Sequence, residues 1–205
     1  MKKFELTNEF VTNMFGTKLF RIRALVEFGD VEAGELGGYV EKESNLGHDD
    51  NAWVYDNAWV YGNARVYGDA QVSGDALVCG TALVYDNAWV YGNARVCGDA
   101  LVCGNARVCS DALVCGNARV CSDEDYAYAH GFGSVNRTTT FFRLKDGGVG
   151  VRCGCFYGTL AQFRDKIRET HGETKKAQEY LMLADLMELR FEEDENEVGN
   201  RKYVE

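Results

Sequence analysis

Histidine is the side chain best suited to acid–base chemistry at neutral pH, and the chain has three: His48, His130 and His171. None of them lies inside the regular repeat described below. His48 lies in a two-residue interruption just before that repeat, where a loop side chain can approach the hydroxyl of an acceptor substrate. The sequence therefore offers His48 as the one candidate general base, and an exposed turn histidine without a catalytic role as the alternative.

Arginine and aromatic side chains recur at positions that are predicted to face outwards, one column running Trp53, Gln71, Trp89 and Arg107. Guanidinium groups bind phosphate and stack on aromatic rings, so such a surface suits a small anionic ligand that carries a base. The candidate ligand-binding residues are Trp89, Tyr91, Arg95, Arg107, Arg119, Arg137, Arg143 and Arg152. Packing between subunits is the alternative use, because Trp, Tyr and Arg are also enriched at protein interfaces.

Eight cysteines form a third set, and six of them take a repeat position that tyrosine fills elsewhere. They fall into columns of residues eighteen apart: Cys79, Cys97 and Cys115 in one, Cys103 and Cys121 in another, and Cys109 below Tyr91. Neighbours in a column lie about 4.8 Å apart and are close enough to bridge. No histidine or carboxylate joins them in a ligand pattern, and Cys153 and Cys155 lack a second pair. We interpret the cysteines as small, moderately apolar, outward-facing residues that stay reduced in a cytoplasm, with a metal or redox ladder as the alternative, and predict no metal and no cofactor.

A six-residue repeat must position all of these side chains. It runs from Asn51 to Ser122 without insertion or deletion, in twelve hexads such as NAWVYG and DALVCG. Within each hexad the alanine and the valine two positions later point to the same side of a short strand, and the pair Gly-Asn or Gly-Asp makes a corner. Three hexads close one coil of eighteen residues, and four coils stack through parallel hydrogen bonds. The pattern predicts a parallel β-helix with an Ala/Val core.

The segments on either side are predicted to cap the coils. The predicted divisions are an N-terminal β cap over 1–32, a β-helix over 33–134 with regular hexads over 51–122, a β-β-α-α cap over 135–192 and an acidic tail over 193–205. Two strands, Phe4–Leu6 and Lys18–Leu25, are expected in the first cap. Val40 and Leu46 keep the spacing of the core valines, but Val54 follows eight residues after Leu46, so two extra residues bulge near His48.

At the other end, Tyr126 and Phe132 keep the six-residue spacing with aromatic rings that would plug the last coil. Two strands, Thr138–Leu144 and Val149–Arg152, flank an Asp-Gly turn and predict a hairpin. Thr159 begins a capping box for a helix from Leu160 to about Thr170, and a second helix is predicted from Glu173 to about Phe191.

The net charge and the distribution of apolar residues exclude some classes of binding partner. The formal net charge of −10 argues against binding to bulk nucleic acid or to an anionic membrane. No run of eighteen apolar residues and no signal-peptide core is present, so we expect a soluble protein that is not exported.

The hexads Val-(Tyr/Cys)-Gly-(Asn/Asp)-Ala resemble the hexapeptide repeat of left-handed parallel β-helix proteins. Four segments extend the resemblance to phage- and prophage-type hexapeptide proteins over almost the full chain: Arg21–Leu25, Leu36–Glu41, Asn51–Tyr55 and Arg152–Thr159. Such proteins are described as transferase-like or polymer-forming. The resemblance implies an all-β solenoid, a left-handed parallel β-helix that assembles as a homotrimer, in the cytoplasm of a bacterial host.

We predict a non-catalytic phage-type binding protein that sequesters a small anionic, nucleotide-like ligand, such as a host immune signal, on the trimeric β-helix. The alternatives are a hexapeptide acyltransferase that uses acyl-CoA, with His48 as its base, and a structural scaffold. We expect Arg107→Ala and Arg143→Ala to abolish ligand binding while leaving the fold intact. His48→Ala matters only if the protein is an acyltransferase.

Overall fold

A computed structural model describes residues 2–133 and 137–192. The predicted acidic tail, 193–205, and the predicted boundary between the β-helix and the C-terminal cap at 134–135 lie outside the described residues. The first strands are β1 (Phe4–Thr12), β2 (Lys18–Ala24) and β3 (Leu36–Val40), and a short 3₁₀ turn follows at Glu43–Asn45.

Twelve two-residue strands come next, one in each hexad. They are β4 (Trp53–Val54), β5 (Trp59–Val60), β6 (Arg65–Val66), β7 (Gln71–Val72), β8 (Leu77–Val78), β9 (Leu83–Val84), β10 (Trp89–Val90), β11 (Arg95–Val96), β12 (Leu101–Val102), β13 (Arg107–Val108), β14 (Leu113–Val114) and β15 (Arg119–Val120). After a 3₁₀ turn at Asp123–Asp125 come β16 (Tyr126–Phe132), β17 (Arg137–Arg143), β18 (Val149–Cys153), β19 (Phe156–Thr159), α1 (Leu160–His171) and α2 (Lys175–Phe191).

The short strands build a solenoid of about five turns with three faces. The first face is β4-β7-β10-β13, the second continues from β3 through β5-β8-β11-β14, and the third is β6-β9-β12-β15. Each strand pairs in parallel with the strand eighteen residues later, as Val90 does with Val108. The alanines and valines of the hexads are buried, and they fill the space between the faces. The parallel β-solenoid predicted from the hexads is confirmed.

The coil before the regular hexads contains the two extra residues that the spacing predicts. Val40 pairs with Val60, and Leu46 bridges to Val66, so both partners are twenty residues apart instead of eighteen. The fully buried Asn45 side chain donates hydrogen bonds to backbone carbonyls of the next coil, at Gly62 (3.1 Å) and Ala64 (2.8 Å). This amide therefore satisfies acceptors that a regular strand would otherwise pair.

The N-terminal hairpin both extends the second face and covers the first coil. Strands β1 and β2 pair antiparallel, and β2 pairs antiparallel with β3. Trp53 is fully buried beneath this cap, with its ring edge-on to Phe4 at 6.2 Å and to Phe28 at 5.3 Å. The expectation that Trp53 begins an outward-facing column is therefore wrong, because the cap encloses that side of the first coil.

The C-terminal cap is a four-stranded antiparallel sheet, β16-β17-β18-β19, with α1 and α2 packed on it. The predicted hairpin and both helices are confirmed, and Thr159 closes the expected capping box on Gln162. Strand β19 was not predicted. Tyr126 is buried against the last coil as expected, but Phe132 is 43% exposed. The plug predicted for Phe132 is wrong because Phe132 lies at the far end of β16 from Tyr126, where it pairs with Arg137 in the C-terminal sheet.

Corners of the solenoid need backbone with a positive φ, which glycine adopts most easily. Asp86 has a φ of 58° at one of these corners, and its carboxylate accepts a hydrogen bond from the Gly104 backbone N–H of the next coil (3.1 Å). Asp56 makes the same contact with Gly74 at 3.0 Å. Aspartate is tolerated at this position because its side chain satisfies a corner N–H.

We predict that Asp86→Ala lowers the free energy of unfolding by about 2 kcal/mol, and Asp86→Gly by only about 1 kcal/mol. Both variants lose the hydrogen bond, but only alanine retains a strained left-handed backbone. Urea unfolding followed by circular dichroism measures the difference. Asp75→Ala, at an exposed corner position, is the control and should change stability by less than about 0.5 kcal/mol. Equal losses for the two Asp86 variants would contradict the backbone argument.

Candidate functional site

The eight predicted ligand-binding residues are spread over four regions of the molecule. They lie on the first face (Trp89, Tyr91 and Arg107), the second face (Arg95), the third face (Arg119) and the C-terminal sheet (Arg137, Arg143 and Arg152). Only the first group is brought together into one surface by neighbouring strands. We call Trp89, Tyr91, Arg107 and the adjoining Ser73 the aromatic patch.

The aromatic patch is positioned by the pleat of the first face. Trp89 precedes core Val90 and Tyr91 follows it, so both rings point out of the solenoid. Their centroids are 4.6 Å apart with an interplanar angle of 36°. The Trp89 Nε1–H donates to the Ser73 hydroxyl at 3.0 Å, which fixes the indole while it stays 37% exposed. The patch is therefore an ordered aromatic surface open to solvent.

Arg107 lies directly next to Trp89 in the parallel ladder. Its backbone is fixed by two bonds, since its N–H donates to the Asp123 carboxylate (2.7 Å) and its carbonyl accepts from the Tyr126 hydroxyl (2.5 Å). Within residues 2–133 and 137–192, no carboxylate forms an ion pair with its exposed guanidinium. The patch thus combines a stacking surface with an accessible positive charge.

Arg143 has a different environment from Arg107. Its guanidinium donates to the backbone carbonyls of Phe191 (3.2 Å) and Gly147 (3.4 Å), and it lies 3.8 Å from the Asp125 carboxylate. The side chain is only 12% exposed. Asp125 in turn accepts hydrogen bonds from the backbone N–H groups of Cys121 and Ser122. Arg143 therefore ties the end of α2 to the end of the solenoid.

The remaining predicted arginines are separate from the patch. Arg137 packs directly against Gly154, at the position that a β-carbon would occupy. Arg152 donates to the carbonyl of Cys155 at 3.5 Å. Arg95 lines a shallow depression between coils of the second face, beside Asp75 and Asp111. None of these groups contributes to the patch.

His48, the candidate base, is part of the N-terminal cap. Its Nδ1 accepts a hydrogen bond from the backbone N–H of Lys3 (3.2 Å), and its ring stacks on Phe4 at 4.5 Å. These contacts hold the two-residue interruption against the hairpin. The imidazole therefore has a packing role that accounts for its position.

Lys3 is the buried charge of the same cap. Its ammonium donates to the carbonyls of Ala52 (2.8 Å) and Asp50 (3.2 Å) and lies 4.6 Å from the Phe28 ring centroid. Burial lowers the pKa of Lys3 to about 8, against an opposing effect of the Asp50 carboxylate. Burial favours the neutral amine over the ammonium, and the neutral amine can still donate hydrogen bonds to both carbonyls.

The cysteine columns occur as the repeat predicts, with one correction. Cys103 and Cys121 form a disulfide, so the prediction that they are free thiols is wrong. The parallel ladder brings residues eighteen apart into contact, and the two cysteines meet there. Across the described parts of the chain, no group of three or more His, Cys, Asp or Glu side chains has a metal-binding arrangement.

Comparison with protein families matches residues 58–70 and 88–104 to the repeat described as the YdcK beta solenoid. Both segments lie inside the regular hexads, so the match concerns the solenoid and not its caps. No curated protein matches the chain's sequence at a significant level. Neither described helix is long and apolar enough to cross a membrane. Together with the coordinates, the family match identifies a β-solenoid repeat protein.

We predict that Arg143→Ala lowers the free energy of unfolding by about 2 kcal/mol, because two backbone carbonyls and a nearly buried carboxylate lose their partner. Arg107→Ala should change it by less than about 0.5 kcal/mol, since its guanidinium is exposed. Urea unfolding of both variants checks the contrast. Arg143→Lys, which keeps the charge but loses the planar fork, should fall between them. An unchanged stability of Arg143→Ala would contradict a structural role.

We predict that Lys3 makes stability rise with pH in the mildly alkaline range. Its pKa is about 8 in the folded protein and 10.5 in an exposed lysine, so between these values the unfolded chain binds more protons. The free energy of unfolding of the wild type minus that of Lys3→Met should therefore increase from about pH 8 to about pH 10. Urea unfolding measures it, with Lys145→Met as the control for an exposed lysine. A difference that falls with pH would contradict the burial argument.

Proposed function

We propose that this β-solenoid is a non-catalytic binding protein whose aromatic patch takes a small anionic, nucleotide-like ligand. The observation that carries the proposal is the position of Arg107 next to Trp89 and Tyr91. A planar base can stack on the exposed rings, and a phosphate can bind the guanidinium. Base–aromatic stacking and a charge-assisted hydrogen bond are sequence-independent and suit a small soluble ligand.

The charge of the protein supports a small ligand over a polymer. The chain carries a formal net charge of −10, so a long polyanion would be repelled from most of its surface. A mononucleotide or cyclic dinucleotide needs only a local positive group. The resemblance to phage proteins makes cyclic nucleotides, as host immune signals, the first compounds to test.

The acyltransferase alternative has less support from the described residues. It needs a base that is free to reach an acceptor hydroxyl. The Nδ1 of His48 is already an acceptor for a backbone N–H, and its ring is stacked within the cap. We therefore do not propose His48 as a catalytic residue.

The homotrimer is part of the proposal. An aromatic surface such as Trp89 beside Tyr91 is also what subunit interfaces use. In a trimer built through this face, a ligand would bind between subunits, with the patch of one chain facing its neighbour. Light scattering of the full chain, with and without ligand, measures the mass that this arrangement requires.

We predict that Arg107→Ala and Trp89→Ala each weaken nucleotide binding by at least about tenfold, as expected from the loss of a charge-assisted hydrogen bond or of one stacked base. Isothermal titration calorimetry with a panel of mononucleotides and cyclic dinucleotides provides the wild-type affinity. Arg65→Ala is the matched control, because Arg65 occupies the same hexad position on the third face, is also exposed, and lies over the Tyr67 ring at 5.5 Å. It should bind as the wild type does.

Two results would contradict the proposal. One is the absence of binding by the wild type to every member of the panel. The other is equal loss of affinity in Arg65→Ala and Arg107→Ala, which would indicate a nonspecific electrostatic effect. Loss of the trimer in Trp89→Ala, with unchanged ligand affinity, would assign the patch to subunit packing instead.

A further inference from the structure

Three cysteines follow the core valines of the second face and stack along one corner. We call Cys79, Cys97 and Cys115 the thiol column. The backbone N–H of Cys79 donates to the carbonyl of Val96 (2.9 Å), and that of Cys97 to the carbonyl of Val114 (3.0 Å). Cys79 and Cys97 are therefore each held by the residue that precedes the next cysteine. Neighbouring α-carbons in such a ladder are about 4.8 Å apart, within the range that disulfides span.

The neighbouring corner shows that this geometry supports a disulfide. There the backbone N–H of Cys103 donates to the carbonyl of Val120 (2.9 Å), the same contact that orders the thiol column. Cys103 and Cys121 are separated by 18 residues, their α-carbons are 4.3 Å apart, and their sulfurs are bonded. The pairs Cys79–Cys97 and Cys97–Cys115 have the same separation and the same strand pairing.

The surroundings shift the pKa values of the three column thiols in different directions. The neighbouring Cys97 and the nearby Arg152 lower the pKa of Cys115, against the effect of burial. The neighbouring Cys115 and burial raise the pKa of Cys97, and the neighbouring Cys97 and burial raise the pKa of Cys79. Of the three thiols, Cys115 therefore ionises most readily.

We propose that the thiol column is a dithiol–disulfide redox site that exchanges with low-molecular-weight disulfides such as oxidised glutathione. Cys97 is the shared member, able to bridge either to Cys79 or to Cys115. Cys79 and Cys115 lie two rungs apart, about 9.6 Å between α-carbons, which exceeds the span of a disulfide. Only one bridge can exist at a time, and the third thiol remains free.

The exchange balances as two successive thiolate displacements. A column thiolate attacks the disulfide RSSR, forms a mixed disulfide and releases RS⁻. The neighbouring column thiol loses its proton and attacks the protein sulfur of that mixed disulfide, which forms the column disulfide and releases a second RS⁻. The two protons of the column end on the two released thiolates. The protein is oxidised by two electrons, and RSSR is reduced to two RSH.

The third thiol permits the bridge to move. In a column with a Cys97–Cys115 disulfide, Cys79 is next to Cys97 and can attack it, which releases Cys115. This isomerisation needs no further oxidant, because one disulfide replaces another. Cys79 and Cys97 are partly exposed, whereas Cys115 is buried, so a reagent in solution reaches Cys79 or Cys97 first. The neighbouring Cys97 and burial raise the pKa of Cys79, so the first displacement at Cys79 should become faster as the pH rises.

The test is to equilibrate the full chain with mixtures of oxidised and reduced glutathione, then block free thiols and map disulfides by mass spectrometry. Trypsin separates the three cysteines onto different peptides, because Arg95 and Arg107 lie between them. We expect one disulfide within the wild-type column in excess oxidised glutathione. Cys97→Ser should form none, whereas Cys79→Ser and Cys115→Ser should each retain one.

Serine is a suitable replacement because Ser73 occupies the same hexad position in the native chain. Circular dichroism confirms that each variant is folded before exchange. The proposal is overturned if all three wild-type column thiols remain free in excess oxidised glutathione. A disulfide between Cys79 and Cys115 in folded Cys97→Ser would also overturn it, because the ladder places these residues too far apart.

Discussion

The parallel pairing of each residue with the one eighteen positions later is the constraint on which the structure depends. Backbone N–H groups of one coil are satisfied by carbonyls of the next, as in the bond from Trp89 to Ala106 (2.9 Å). This pairing leaves a narrow interior that alanine and valine fill. Larger side chains must lie outside, where the same pairing stacks them into columns. Both the aromatic patch and the thiol column follow from this register.

The first and last coils of such a ladder have backbone N–H and C=O groups without a partner coil, and the two caps cover them in different ways. The N-terminal hairpin adds antiparallel strands to the second face and encloses Trp53. At the other end, Asp125 accepts backbone hydrogen bonds from the last corner, and Tyr126 covers the core. Both ends of the solenoid are therefore covered, and the strands left at sheet edges include β1 and β19 of the caps.

The periodic part of the fold could be predicted from the sequence because every hexad repeats the same pattern of buried and exposed positions. Alternation places Val90 inside and Trp89 outside, and the offset between Leu46 and Val54 reveals the extra residues. The burial of Trp53 could not be predicted in this way, since it depends on a hairpin that ends 29 residues earlier, at Ala24. The position of Phe132 depends on antiparallel pairing with β17, and spacing along the chain does not encode it.

In the candidate site, the contacts that follow from the repeat period could be predicted, whereas those that depend on the C-terminal cap could not. The proximity of Trp89 to Arg107 follows from the period, whereas the engagement of Arg143 depends on where α2 ends. The repeat period places Cys103 and Cys121 close enough for a disulfide, but the expectation of a reducing cytoplasm favoured free thiols.

Three hexads per coil also restrict how such a protein can change length during evolution. Loss or duplication of one hexad would rotate every later column by one face and bring the C-terminal cap to a different side of the N-terminal cap. Loss or duplication of three hexads removes or adds a whole coil and preserves the columns, the core and the relative orientation of the caps. Homologous chains with intact columns should therefore differ in length by multiples of eighteen residues.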